Sequence, residues 1–192
     1  MFELLYTILQ KSATLCFLDL HLFLWYHREN ISNSGGAMEI RKLRMEHLSK
    51  EQFEQIVAIE ENCGLEPYTR DMLRECIREL DTYACLDGDT VAGFITIMAT
   101  SSRLGGGLYI VNLNVAKPYR RQGLARQLIT TGCGFYARSH RGRFVILDVA
   151  KTNTAAWHLY KKLGFDVTDI PSRNGDTDVV MVAKLDKLCR NV

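Results

Sequence analysis

The sequence has little of what marks several common classes of protein. Its six cysteines include no C-x-x-C pair and no Cys/His cluster with zinc-ligand spacing, so we expect no metal site and a reduced, cytoplasmic chain. The net charge is only +2, so charge does not indicate a nucleic-acid partner. With 47% hydrophobic and 24% charged residues, the composition excludes collagen-like, disordered and coiled-coil proteins. One globular domain fits the length of 192 residues.

The first 37 residues differ from the rest of the chain. Residues 15–26 form a mostly apolar run of 12 residues that Asp19 and His21 interrupt, too short and too polar to span a bilayer. We therefore expect no stable membrane association. Residues 31–36 (ISNSGG) are typical of a linker. The pattern predicts an N-terminal extension, 1–37, and a domain, 38–192; the extension is an upstream addition, a docked amphipathic helix or a targeting segment.

Periodicity and turn residues predict the element order β-α-α-β-β-β-α-β-α-β in the domain. Ser49 with Gln52 is a capping box for the first helix, and Thr69 caps the second. We predict a hairpin at 87–89 (DGD), and a turn at 105–107 (GGG). The predicted strands are 39–44, 82–86, 90–99, 108–115, 144–149 and 178–185, and the later helices are 122–139 and 154–163. This order predicts an α/β or α+β fold, a mixed sheet with helices packed on it.

The most informative segment joins a strand to a helix. Leu113-Asn114-Val115 ends the strand, and the helix begins near Gly123 and Ala125, whose small side chains let another molecule approach the backbone. The unpaired N–H groups of a first helical turn bind anions. Three arginines add positive charge there: Arg120, Arg121 and Arg126. Because Walker A and G-x-G-x-x-G patterns are absent, we predict another kind of phosphate or pyrophosphate site; an Arg-rich helix start that merely packs closely is the alternative.

Two segments together resemble a known family. Residues 120–125 read R-x-x-G-x-A, which resembles the pyrophosphate loop of the GNAT superfamily of acetyl-CoA-dependent N-acetyltransferases. Residues 153–165 (NTAAWHLYKKLGF) resemble its second hallmark, N-x-x-A-x-x-L-Y-x-x-x-G-F. The resemblance covers residues 38–185, and the two segments come in the family's order and at its usual separation. The chain is loosely similar to the branch that acetylates the N-terminus of a ribosomal protein. It implies a central mixed sheet with splayed middle strands, flanked by helices.

The resemblance also implies acetyl-CoA as the acetyl donor. Its pantetheine arm is expected in the gap between the splayed strands, bonded by the backbone of residues 113–115, and its diphosphate on the amides of residues 121–126. Asn153 is expected to cap the following helix and also to reach the pantetheine. The implied cofactor-binding residues are Leu113, Asn114, Val115, Arg120, Arg121, Gln122, Gly123, Leu124, Ala125, Arg126 and Asn153.

Two catalytic residues are implied by the same resemblance. Tyr160 matches the general acid that protonates the departing thiolate, although a packing role alone also accounts for it. Asp148 is an acid in an otherwise apolar strand and matches a glutamate that serves as general base. Since Asp is one methylene shorter, it is expected to act directly or through a water. A structural Asp bonded to backbone is the alternative.

The acceptor stays open between a protein N-terminus, a lysine and a small amine. Acidic side chains either draw a cationic amine to the cleft or form a solvated face: Glu60, Glu61, Glu66, Asp176 and Asp178. We expect His158 on the surface, and direct transfer rather than an acyl-Cys133 intermediate, because no base lies near that thiol in sequence. The sequence does not decide whether the protein forms a homodimer. The alternative function is a catalytically silent acetyl-CoA-binding regulatory module.

Overall fold

The computed structural model describes residues 38–63, 67–102, 105–139, 142–172 and 174–189. The predictions for residues 1–37 and for Glu66 lie outside this described part. Seven strands are present in it: β1 (Glu39–Lys42), β2 (Asp81–Asp87), β3 (Thr90–Ser102), β4 (Gly105–Val115), β5 (Phe144–Ala150), β6 (Asp166–Val167) and β7 (Asp178–Lys184). The α-helices are α1 (Lys50–Glu61), α2 (Arg70–Glu79), α3 (Leu124–Ser139), α4 (Thr154–Lys162) and α5 (Leu185–Cys189).

Local capping signals set where the helices begin. The Ser49 side chain accepts from the Gln52 N–H and the Gln52 side chain reaches back to the Ser49 N–H, which confirms the capping box of α1. Thr69 accepts from the N–H of Met72 at the start of α2. Asn153 Oδ1 accepts from the N–H of Ala156 and caps α4. These contacts satisfy donors that a first helical turn leaves unpaired.

The sheet has the strand order β1-β2-β3-β4-β5-β7-β6, and only the β4–β5 pair is parallel. That pair is short: its register runs only from Gly107 opposite Phe144 to Tyr109 opposite Ile146. Beyond it, residues 110–115 of β4 and 147–150 of β5 have no register partners in each other. The middle strands therefore diverge toward their carboxyl ends, which confirms the expected splayed mixed sheet.

Helices cover the two faces of the sheet unequally. On one face α3 and α4 bury Leu128, Ile129 and Tyr160 against the sheet. On the other face α1 and α2 bury Phe53 and Leu73 against β2 and β3. We call these the α3 face and the α1 face. The α1 face of the splayed strands is the side on which polar side chains of β4 and β5 meet.

The predicted turn at residues 105–107 is wrong, because these glycines begin β4. A Cβ on Gly107 would overlap the Phe144 ring and lie 2.8 Å from the Phe144 carbonyl oxygen. The glycine is present because a neighbouring strand approaches closely, not because the chain reverses. The structure also has β6 and α5, which the sequence pattern did not predict, and α3 begins two residues later than predicted.

Gly107→Ala is expected to lower the free energy of unfolding by about 2 kcal/mol, since overpacking a tight site typically costs about 1–3 kcal/mol. The obstacle includes backbone, which cannot rotate away. Gly132→Ala is the matched control, because its Cβ meets side chains and no backbone, with the flexible end of Ile97 nearest at 3.0 Å, and helix propensity improves. Urea unfolding measures the free energy of unfolding of both variants. Equal losses of this free energy would contradict the explanation of the Gly107 contact.

Candidate active site

The loop between β4 and α3 leaves a row of main-chain donors unpaired. Arg121 and Gly123 have positive φ angles of 65° and 82°, and such residues turn successive N–H groups to one side. In the described part of the chain, none of the main-chain N–H groups of residues 121–126 donates to another residue. The first N–H inside the helix that is paired is that of Gln127, which donates to the Gly123 carbonyl. These unpaired N–H groups at the start of α3 are of the kind that bind anions.

Some side chains of the loop hydrogen-bond its own backbone or that of neighbouring segments, and others are exposed and form no ion pair among the described residues. Arg120 donates from Nε to the Val115 carbonyl at 2.9 Å and from Nη2 to the Asn62 carbonyl at 3.1 Å. Gln122 donates to the Pro118 carbonyl at 2.9 Å. The guanidinium groups of Arg121 and Arg126 are exposed, and among the described residues neither forms an ion pair. Their charge is available to a ligand, whereas Arg120 holds the loop against β4 and α1.

The end of β4 is tied to α1 through a buried carboxyl. Asn114 Nδ2 donates to Glu60 Oε2 at 2.6 Å, and Tyr68 N donates to Glu60 Oε1 at 3.1 Å. Glu60 is 3% exposed, so it does not belong to a solvated face. Burial raises the pKa of this carboxyl, and its two hydrogen bonds oppose that shift. The Asn114 side chain thus ties the end of β4 to α1.

Asp148 faces the gap from β5 and is hydrogen-bonded to a residue of β4. Tyr109 Oη donates to Asp148 Oδ2 at 2.6 Å. The other oxygen, Asp148 Oδ1, is buried and has no hydrogen-bond partner among the described residues. The same holds for both polar atoms of the Asn112 amide, Oδ1 and Nδ2. Buried polar atoms without partners are uncommon in native structures, and they call for a ligand or water. A polar ligand on the α1 face would satisfy all three atoms.

A bulge in β4 brings the polar side chains of this strand to one face. The register moves from Asn112 opposite Thr96 to Ile110 opposite Ile97, which leaves Val111 as the extra residue. Met98 and Thr96 are two residues apart in β3, so their side chains lie on the same face of the sheet. Their partners in β4, Tyr109 and Asn112, therefore lie on that face too. Strict alternation would have separated them. Sequence reasoning missed Tyr109 for this reason, and no signal in the printed letters marks the bulge.

Tyr160 lies in the buried apolar cluster on the α3 face. It lies on α4, is 8% exposed, and packs against Phe165 with ring centroids 5.5 Å apart. Burial raises the pKa of its phenol to about 12. Tyr160 and the Tyr109–Asp148 pair therefore belong to opposite faces of the sheet, on either side of the gap between β4 and β5.

The other titratable candidates are placed differently. His158 is exposed, and its Nδ1 lies 2.6 Å from the Thr154 carbonyl oxygen, as expected for a surface residue. Lys151 donates to the Asp176 carbonyl at 2.7 Å. Cys133 is fully buried, and burial raises the pKa of its thiol, so it stays protonated and unreactive. Among the described residues no group of His, Cys, Asp and Glu is placed to hold a metal ion, and no helix is long and apolar enough to cross a membrane.

Comparisons with known proteins agree with this geometry. Residues 44–165 match the family model of the acetyltransferase (GNAT) family. Mycothiol acetyltransferase of Corynebacterium glutamicum (strain R) is 36% identical over 92 residues, which are 48% of this chain and 30% of that protein. The match therefore spans less than a third of that relative's length.

Solved structures show the same fold. The NatC complex bound to Gag peptide and CoA contains a chain with a TM-score of 0.65 and 23% identity, with coverage of 77% of this chain and 98% of that one. The ribosomal-protein-S18-alanine N-acetyltransferase of Escherichia coli has a TM-score of 0.60 and 20% identity, with coverage of 78% and 94%. At these identities the likeness concerns the fold.

Proposed function

Because the chain belongs to the acetyltransferase (GNAT) family, we propose that it transfers the acetyl group of acetyl-CoA directly to a primary amine. The observation that carries this proposal is the row of unpaired N–H groups at residues 121–126, which opens beside the gap between β4 and β5. The diphosphate binds these amides, with Arg121 and Arg126 supplying charge. The pantetheine lies in the gap and bonds the backbone of residues 113–115 and Asn153.

In the proposed reaction the thioester lies in the gap, between the two groups that move protons. The amine nitrogen attacks the thioester carbonyl carbon, the carbon–sulfur bond breaks, and the sulfur leaves with the electron pair. A protonated amine first loses one proton to Asp148 Oδ1, directly or through one water, because this oxygen has no other partner among the described residues. After the attack the nitrogen loses its second proton to solvent as the amide forms. Tyr109 holds the other carboxylate oxygen and thereby orients Asp148. Tyr160 gives its proton to the departing sulfur from the α3 face.

The acceptor binds on the α1 face, where Asn112 and Asp148 present unpaired polar atoms. We infer that the two polar atoms of the Asn112 amide hydrogen-bond polar atoms of the acceptor next to its reacting amine. Peptide N-termini are the first class to test, because the fold resembles that of N-terminal acetyltransferases. Small amines are the second, because the matched relative is named mycothiol acetyltransferase. The free thiols of Cys76, Cys85, Cys133 and Cys189 support a reducing, cytoplasmic setting.

The test is thiol release from acetyl-CoA with a panel of N-terminal peptides, lysine peptides and small amines, followed by mass spectrometry of each acceptor. We expect release that is matched by the gain of one acetyl group on an amine. Acetyl-CoA binding without release on any acceptor would contradict transfer and favour a binding module.

The kcat of the Tyr160→Phe variant is expected to fall about 10²-fold, the lower end of what a positioned acid contributes. A phenol donates only below its pKa, and burial raises that pKa to about 12. The wild-type profile of kcat from pH 6 to 10 should therefore show no descending limb from Tyr160. A fall with a midpoint near 9 that disappears in Tyr160→Phe would contradict this role.

A further inference from the structure

A groove with a volume of about 560 Å³ runs along β5, β7 and β6 on the α1 face. Phe144, Ile146 and Val182 form its floor, and Ile170 lines its wall. The helices α3, α4 and α5 pack their apolar residues on the opposite face, and α1 and α2 cover the other half of the sheet. Ile170 is 52% exposed. The volume is in the range that holds a small ligand or a short peptide segment.

The groove begins beside the candidate base. Ile146 precedes Asp148 by two residues in β5, so the two side chains lie on one face. Val180 of β7 is opposite Asp148, and Thr168, which lines the groove, donates from its N–H to the Val180 carbonyl at 3.0 Å. Asp148, Val180 and Thr168 thus form one row across three neighbouring chain segments. Asp148 is not itself in the lining, but the groove residues Ile146 and Thr168 are its neighbours in this row, so a ligand whose amine reaches Asp148 can extend into the groove.

The far end of the groove is positively charged. Lys184 is opposite Phe144, four residues before Asp148, which is about 13 Å along the strand. Lys187 also lines this end. The acid in the lining, Asp166, is ion-paired with Lys161 at 2.8 Å, and that lysine lowers the pKa of Asp166. Lys184 has no acidic partner among the described residues.

We propose that the groove binds the acceptor as an extended peptide, with apolar side chains after its free N-terminus and an acidic side chain near its fifth residue. An extended chain advances about 3.3 Å per residue, so its fifth Cα lies about 13 Å from its first, at the level of Lys184. This inference rests on the proposed function, because it takes Asp148 as the place of the reacting amine. It adds the direction of the peptide and the charge that it carries.

The test compares two fluorescent peptides with the full chain in the presence of CoA, so that binding is measured without turnover. Both have apolar residues at positions 2 and 3, and they differ by Glu or Lys at position 5. The Glu peptide should bind up to about fivefold more tightly, the most that one exposed ion pair typically provides. Lys184→Glu should abolish or reverse this preference. Lys162→Glu, the same charge change on an exposed residue of α4 outside the groove, should leave it unchanged.

Equal binding of the two peptides, or a preference that survives in Lys184→Glu, would overturn the inference. Ile170→Glu should weaken both peptides, because it places a charge on the apolar wall. A dimer in sedimentation velocity that Ile170→Glu dissociates, with peptide binding unchanged, would assign the groove to a second copy and also overturn it. If the binding preference holds but no amine gains an acetyl group, the proposed function fails and the peptide groove stands.

Discussion

Gly123→Glu is expected to weaken acetyl-CoA binding at least about 100-fold, which corresponds to roughly 2.7 kcal/mol. Gly123 has a φ of 82°, where a side chain costs about 1–2 kcal/mol. The new carboxylate would also stand at the mouth of the anion site, among the N–H groups of residues 121–126. Isothermal titration with acetyl-CoA measures the loss directly.

The matched control is Gly88→Glu in the turn between β2 and β3. Gly88 has a φ of 59°, and a Cβ there, as at Gly123, meets nothing within 4 Å. Both variants therefore suffer similar strain and the same charge change, and their melting temperatures should fall by similar amounts. Only Gly123→Glu should lose the cofactor. Equal affinities in the two variants would remove the diphosphate from residues 121–126.

Asp148→Asn should lower kcat by about 10²–10⁴ while the Kd for acetyl-CoA stays within about twofold of wild type. Asn keeps the shape of the side chain and still accepts a bond from Tyr109, so stability should change little. It lacks the basic oxygen that Asp148 Oδ1 supplies. Single-turnover acetylation separates the chemical step from binding. A kcat within threefold of wild type would mean that Asp148 is structural.

Tyr109→Phe tests the orienting role in the same assay. Because Tyr109 and Asp148 form one hydrogen-bonded unit, their effects should not multiply. The double variant Tyr109→Phe/Asp148→Asn should be about as slow as Asp148→Asn alone. Fully multiplicative losses would show two independent contributions.

Local signals predicted most of the fold. Ser49 and Thr69 cap the helices that they were expected to begin, and Gly164, after α4, has a φ of 87° as a helix-terminating glycine should. Each of these interactions joins residues a few positions apart, so the printed letters contain it. The glycines at 105–107 misled the prediction, because they begin a strand, and Gly107 is required by the Phe144 ring on another strand. Strand β6 has only two residues and no period to detect.

The candidate site was predictable to the extent that it is local. The loop at residues 120–126 carries its anion site in its own backbone, and Asp148 was marked by standing alone in an apolar strand. The contacts around Asp148 join distant parts of the chain: Tyr109 is 39 residues away, and Glu60 is 54 residues from Asn114. They depend on strand register and on the bulge at Val111, which only the assembled sheet reveals.

A crystal structure of the full chain with acetyl-CoA tests the central claim most directly. We predict diphosphate oxygens within hydrogen-bonding distance of the main-chain nitrogens of residues 121–126, with the pantetheine arm between β4 and β5. A diphosphate held elsewhere on the protein, with these N–H groups facing only solvent, would contradict the account of this chain as an acetyl-CoA enzyme built on that loop.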